Sequence, residues 1–116
     1  YIIELECKGG FFMPKVVERF LRYVKYETTS KEDSSTTPST KSQLIFANEL
    51  FKELTQIGLD NVHLDENGYI MATLPSNLNK QVPTIGFIAH MDTSPDMDGK
   101  NIITVTISCY TSRRIF

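Results

Sequence analysis

The sequence contains few cysteines. Its 116 residues include two cysteines, Cys7 and Cys109, which lie near opposite ends of the chain in neither a CxxC nor a Cys/His spacing. A disulfide framework or a cysteine zinc site is therefore not expected. Cysteine usage of this kind is typical of proteins in a reducing compartment.

Long apolar runs and an excess of positive charge are also missing. No apolar run approaches the roughly 18 to 20 residues that cross a bilayer, and the opening YIIELECKGGFF lacks the basic start and apolar centre of a signal peptide. The formal net charge is -2, whereas nucleic acids and anionic membranes attract basic surfaces. The sequence thus predicts no nucleic-acid or membrane partner, and a cytoplasmic location by default.

Motifs for nucleophilic catalysis and phosphate binding are lacking as well. Ser94 is not in a GxSxG setting, and no glycine-rich phosphate loop is present. What the chain has is an ordinary globular composition, 41% apolar and 22% charged, at a length suited to one domain.

Two segments have the spacing of amphipathic helices. Apolar residues recur at helical intervals from Pro14 to Val24, and a second helix is expected to begin at a capping box of Thr40 and Gln43. Gly58 is placed to end that helix in the left-handed conformation. The face of the second helix predicted to be buried consists of Leu44, Ala47, Leu50, Phe51, Leu54 and Ile57.

After Gly58 the apolar period changes from that of a helix to that of a strand. Val62 and Leu64 precede a turn at residues 65–68, and the Asn-Gly pair of that turn predicts a hairpin with residues 69–74. Residues 84–89 are continuously apolar, which predicts a strand buried on both faces. The fold class predicted is α/β, with two helices, a hairpin and a buried strand.

A His-x-Asp pair follows the predicted buried strand. His90 would lie at the strand's carboxyl end, where functional side chains collect in α/β sheets, and Asp92 would face the same side. Imidazole binds zinc, and a neighbouring carboxylate fixes the ring tautomer. The spacing permits half of a metal site, and two ordinary polar loop residues would have the same pattern.

Other ligands for such a site are hard to find in the sequence. Zinc takes three or four protein ligands, but the only other histidine, His63, is expected on a strand surface. Asp96 to Gly99 resembles part of a calcium loop, an interpretation rejected because Pro95 intrudes and Val105 stands where a glutamate is needed. The residues alone therefore predict a metal site for which only some of the ligands can be identified.

Several segments in this order resemble the N-terminal part of the peptidase T family. They are VVERFLRYVKYETTS, the PST before the second helix, IGLDNVHLDENGYIMATLPSN and VPTIGFIAHMDTSPDMDGKN. The similarity covers residues 13–101, and HMDTSPD followed by DGKN is far more specific than the His-x-Asp core that related carboxypeptidases and dipeptidases share. The family consists of tripeptide aminopeptidases of the di-zinc exopeptidase superfamily.

The resemblance implies a cytosolic metallopeptidase that carries two zinc ions in its catalytic domain and dimerises through a smaller one. By matching position, His90 would be a zinc ligand and Asp92 the active-site carboxylate. The remaining ligands and the glutamate base would lie outside this sequence. The reaction implied is attack of a zinc-bound water on the first peptide bond of a tripeptide, which releases the N-terminal residue.

The two ends depart from the family pattern. Residues 1–12 are expected to be a leader outside the family, and residues 102–116 a tail that no longer follows it. The chain is accordingly also compatible with a catalytically inactive fragment that has weak metal affinity, or with a small metal-binding or interaction module.

Overall fold

The computed structural model describes residues 15–100 and 102–104. They fall into two units, residues 15–25 with 102–104, and residues 26–100. The predicted leader at 1–12, both cysteines and most of the predicted tail lie outside the described residues. Within the described part, no helix is long and apolar enough to cross a membrane.

The first unit contains helix α1, Lys15–Tyr23, which confirms the predicted first helix. Glu18 lies in its first turn and Arg22 in its last, where each charge opposes the helix dipole. Its apolar residues include Val16 and Phe20, and both are exposed.

The second unit contains helix α2, Lys41–Gln56, and strands β1, Asp60–Leu64, and β2, Ile70–Thr73. The strands pair antiparallel in a two-stranded sheet, with Leu64 opposite Ile70 and His63 opposite Met71. Helix α2 packs against both strands. Helices and hairpin thus agree with the predicted α/β class.

Helix α2 has the start and the end that its sequence predicts. Thr40 and Gln43 form the capping box, in which Thr40 N donates to Gln43 Oε1 at 3.5 Å. At the other end Gly58 has a φ of 83°, its N–H bonds to Thr55 O at 3.1 Å, and Leu59 N bonds to Leu54 O at 3.2 Å. These two bonds form a Schellman motif, which needs a left-handed residue that glycine supplies without strain.

The hairpin turn is closed by one aspartate. Asp65 Oδ1 accepts from Asn67 N at 3.0 Å and from Tyr69 N at 2.8 Å. Gly68 has a φ of 86° and donates its N–H to Asp65 O at 3.1 Å. The predicted Asn-Gly hairpin is confirmed.

The small core lies on α2, and one of its members was not predicted. Phe46 and Ala47 are buried, and the ring of Phe46 contacts that of Tyr26 at a centroid distance of 5.0 Å. Ala47 belongs to the predicted face, whereas Ile57 at its far end is exposed. Phe46 was not predicted because its burial depends on contact with Tyr26, which lies in the segment before α2. The spacing of apolar residues within the helix does not reveal such a contact.

The predicted buried strand at 84–89 is wrong for this structure. Residues 84–89 belong to no strand, and their side chains are exposed, Phe87 by 95%. A strand buried on both faces needs neighbouring strands and covering elements. Among the described residues the only ladder joins β1 to β2, so nothing pairs with this segment.

Candidate metal centre

His90 and Asp92 lie side by side on the surface of the second unit. His90 Nδ1 is 2.9 Å from the backbone oxygen of Asp92 and 3.1 Å from its Oδ1. The His90 side chain is 84% exposed and that of Asp92 49%. The predicted juxtaposition is therefore present, although residues 90–92 are not part of a strand.

The geometry of this contact selects one tautomer of the neutral imidazole. A backbone carbonyl oxygen can only accept a hydrogen bond, so the hydrogen of the ring must be on Nδ1 of His90. The lone pair of Nε2 then has no hydrogen-bond partner among the described residues, and the ring is exposed. An imidazole held by oxygen at one nitrogen and free at the other has the arrangement found in metal-bound histidines.

The backbone just after Asp92 is attached to the loop that precedes α2. Thr93 N donates to Thr28 O at 3.1 Å, and Ser30 N donates to Thr93 O at 2.9 Å, so that Thr29 and Thr93 form a parallel bridge. The Ser30 hydroxyl also donates to Thr93 O at 3.0 Å. The His90–Asp92 segment is thus fixed at its carboxyl end.

The two other aspartates of this loop each accept a hydrogen bond from a residue two positions away in the sequence. Asp96 Oδ2 accepts from the Ser94 hydroxyl at 2.7 Å, and Asp98 Oδ1 accepts from Lys100 N at 3.0 Å. Such local bonds stabilise the turns, and each uses one oxygen of its carboxylate.

His90 and Asp92 are residue types that suit a metal site, but they are too few to form one. His90 offers a free ring nitrogen with a supporting carboxylate, but no group of three or more His, Cys, Asp or Glu that could hold a metal occurs within residues 15–100 and 102–104. His63, exposed on β1 as predicted, does not join the pair. Since catalytic zinc takes three protein ligands, His90 and Asp92 can supply only part of a centre.

Sequence reasoning missed the residues that hold this segment in place. Thr28 is 4% exposed and Gln43 5%, and Gln43 Nε2 donates to Thr28 O at 3.2 Å. Gln43 had a signal in the sequence, but only as a capping residue. A buried amide that contacts a distant carbonyl depends on tertiary packing, and no local pattern reveals it.

Comparison with known proteins finds several similar to this chain. The chain is 61% identical over 103 residues to peptidase T of Halothermothrix orenii and 63% identical over 98 residues to peptidase T of Caldanaerobacter subterraneus subsp. tengcongensis. The chain is homologous to part of peptidase T. Peptidase T of Parabacteroides distasonis is 59% identical over 87 residues. These peptidase T matches confirm the resemblance found in the sequence.

The similarity to peptidase T covers most of this chain and a small part of each relative. It extends over 89% of this chain and 25% of the H. orenii protein, and over 84% and 24% in the C. subterraneus case. No family model matches the chain. The chain spans about a quarter of the length of the curated relatives it matches.

Proposed function

We propose that this chain is the N-terminal part of a zinc-dependent aminopeptidase that releases the first residue of tripeptides. The observation that carries the proposal is the His90–Asp92 pair, held side by side in a chain 61% identical to a peptidase T over 103 residues. The whole enzyme would be cytoplasmic and homodimeric.

Within that enzyme each residue of the pair has a separate task. His90 contributes Nε2 as one ligand of a two-zinc centre, and Asp92 holds Nδ1 and so orients the ring. Zinc bound there would supply Lewis-acid chemistry to peptide hydrolysis. The other ligands and the glutamate base come from outside the 116 residues.

A chimeric enzyme tests this proposal. The part of H. orenii peptidase T that aligns with this chain would be replaced by the matching residues of this chain, and release of the N-terminal residue from a tripeptide would be measured. We expect turnover in the chimera. Asp92→Asn should lower it by about 10- to 100-fold, as is usual when the partner of a metal-bound histidine is altered, and His90→Ala should lower it further.

His63→Ala is the matched control, because His63 is an exposed histidine of the same chain that does not join the pair. Its turnover should equal that of the unsubstituted chimera. A chimera that keeps full activity after His90→Ala would refute the proposed role of His90.

A second candidate concerns the 116-residue chain by itself. The incomplete donor set among residues 15–100 and 102–104 favours a polypeptide without catalysis and with weak metal affinity. We expect the purified chain with added zinc to leave tripeptides intact. Turnover that disappears in His90→Ala would contradict this candidate.

A further inference from the structure

The peptide group between Asp92 and Thr93 connects the candidate metal ligand to the protein interior. Its carbonyl oxygen lies 2.9 Å from His90 Nδ1, and its N–H donates to Thr28 O at 3.1 Å. A trans peptide is planar, and its N–H and C=O point in opposite directions. Fixing the direction of the N–H therefore also fixes the carbonyl that orients the His90 ring.

The acceptor of that N–H is itself held by a buried side chain. Thr28 O receives a second hydrogen bond from Gln43 Nε2 at 3.2 Å, which uses both lone pairs of the carbonyl. Thr28 and Gln43 are 4% and 5% exposed. A buried polar contact of this kind is costly to break, because neither partner can turn to water.

We infer that Gln43 is a positioning residue for the His90–Asp92 pair: through Thr28 O and the 92–93 peptide it holds the carbonyl that keeps the hydrogen of His90 on Nδ1. The functional importance of this inference rests on the proposed function, since a free Nε2 matters only if His90 binds a metal. The hydrogen-bonded connection itself exists in the metal-free chain and is tested there.

The two ends of the Gln43 side chain do different things, and this allows a selective variant. Oε1 accepts from Thr40 N and caps α2, whereas Nε2 donates to Thr28 O and, at 3.3 Å, to Ser39 Oγ. In Gln43→Glu the capping oxygen remains, and glutamate is well suited to this position of a capping box. The donor to Thr28 O is lost.

Ser39→Ala is the matched control. It removes the hydroxyl that accepts from Gln43 Nε2 and, at 3.0 Å, from Lys31 N, and it leaves the bond to Thr28 O. A change that arises only from disturbing the segment before α2 would appear in both variants, and one that arises from the loss of the donor to Thr28 would appear in Gln43→Glu alone.

The measurements use the whole chain, labelled with nitrogen-15, at about pH 8.5. We expect the His90 ring of the unsubstituted chain to show the Nδ1–H tautomer, and a mixture of tautomers in Gln43→Glu. The Thr93 amide should exchange with solvent about tenfold faster in that variant, while the amides of α2 keep their rates. Ser39→Ala should match the unsubstituted chain.

Two results would overturn the inference. An unchanged His90 tautomer and Thr93 exchange rate in Gln43→Glu would show that Nε2 does not position the pair. Equal acceleration of the Thr93 and α2 amides would show that Gln43 acts only on general stability.

A zinc titration followed through the His90 ring signals separates this inference from the proposed function. We expect Gln43→Glu to weaken zinc binding about tenfold. If the unsubstituted chain shows no response to zinc while the metal-free tautomer changes as expected, the proposed role of His90 fails and the positioning role of Gln43 stands.

Discussion

At the scale of single residues, Gly99 lies where the structure leaves little room for a side chain. A Cβ added to Gly99 would lie 2.8 Å from Thr29 Oγ1, closer than carbon and oxygen pack. Thr29 Oγ1 is buried and has no hydrogen-bond partner among the described residues. Gly99 therefore lets the loop that follows His90 lie against the 28–30 segment.

Gly99→Ala should destabilise the chain by about 1–3 kcal/mol, the usual cost of forcing extra volume into a packed contact. The measurement is the free energy of unfolding in urea. Gly86→Ala is the control, because a Cβ there meets nothing within 4 Å. The double variant Thr29→Ala/Gly99→Ala should regain most of the loss, and a double variant as unstable as Gly99→Ala would place the strain elsewhere.

At the scale of secondary structure, elements with a local cause could be predicted and those with a distant cause could not. Helix α2 begins at a capping box and ends at Gly58, and the hairpin turns at Asn67-Gly68. Each depends on residues a few positions apart. Whether residues 84–89 form a buried strand depends on neighbouring strands, which the described residues do not supply. The apolar character of the segment therefore predicts that its burial would be favourable, but it cannot show whether a partner is present.

Gly58→Ala should shorten or destabilise α2, since a φ of 83° is strained for any residue with a Cβ. The expected cost is about 1–2 kcal/mol in the free energy of unfolding. Gly58→Asn is the comparison, because asparagine tolerates the left-handed region better. Equal stability of the alanine and asparagine variants would argue against the Schellman end seen here.

Asp65→Ala tests the hairpin in the same way. It removes the acceptor for Asn67 N and Tyr69 N, and we expect a loss of about 1 kcal/mol. Faster hydrogen exchange confined to the amides of residues 65–69 is the accompanying sign. Unchanged exchange at Tyr69 would show that the backbone turn is stable without the aspartate.

At the scale of the whole molecule, the candidate site was only partly predictable. His90 and Asp92 were found from their spacing and from the resemblance, and they do lie together. The contacts that fix them, from Thr28 and Gln43, join segments distant in sequence. Such groups come together only in the folded chain, so a local sequence pattern cannot predict these contacts.

The exposed apolar segment predicts how the whole chain behaves in solution. Ile85 and Phe87 are 75% and 95% exposed on backbone that is not part of a ladder, a combination that favours association between chains. We expect concentration-dependent association in sedimentation velocity, reduced by Phe87→Lys. Ser76→Lys adds the same charge at an exposed polar position, and an equal reduction there would assign the effect to charge alone.

The bridge between Thr29 and Thr93 also bears on the order in which the molecule forms. The Ser30 hydroxyl and Thr93 O that it brings together are 63 positions apart. A chain grows from its N-terminus during synthesis, so α2 and the hairpin have left the ribosome before Thr93 does. The segment that contains His90 and Asp92 is then the last of these parts to leave the ribosome, so the bridge to Thr29 can form only after α2 and the hairpin have emerged.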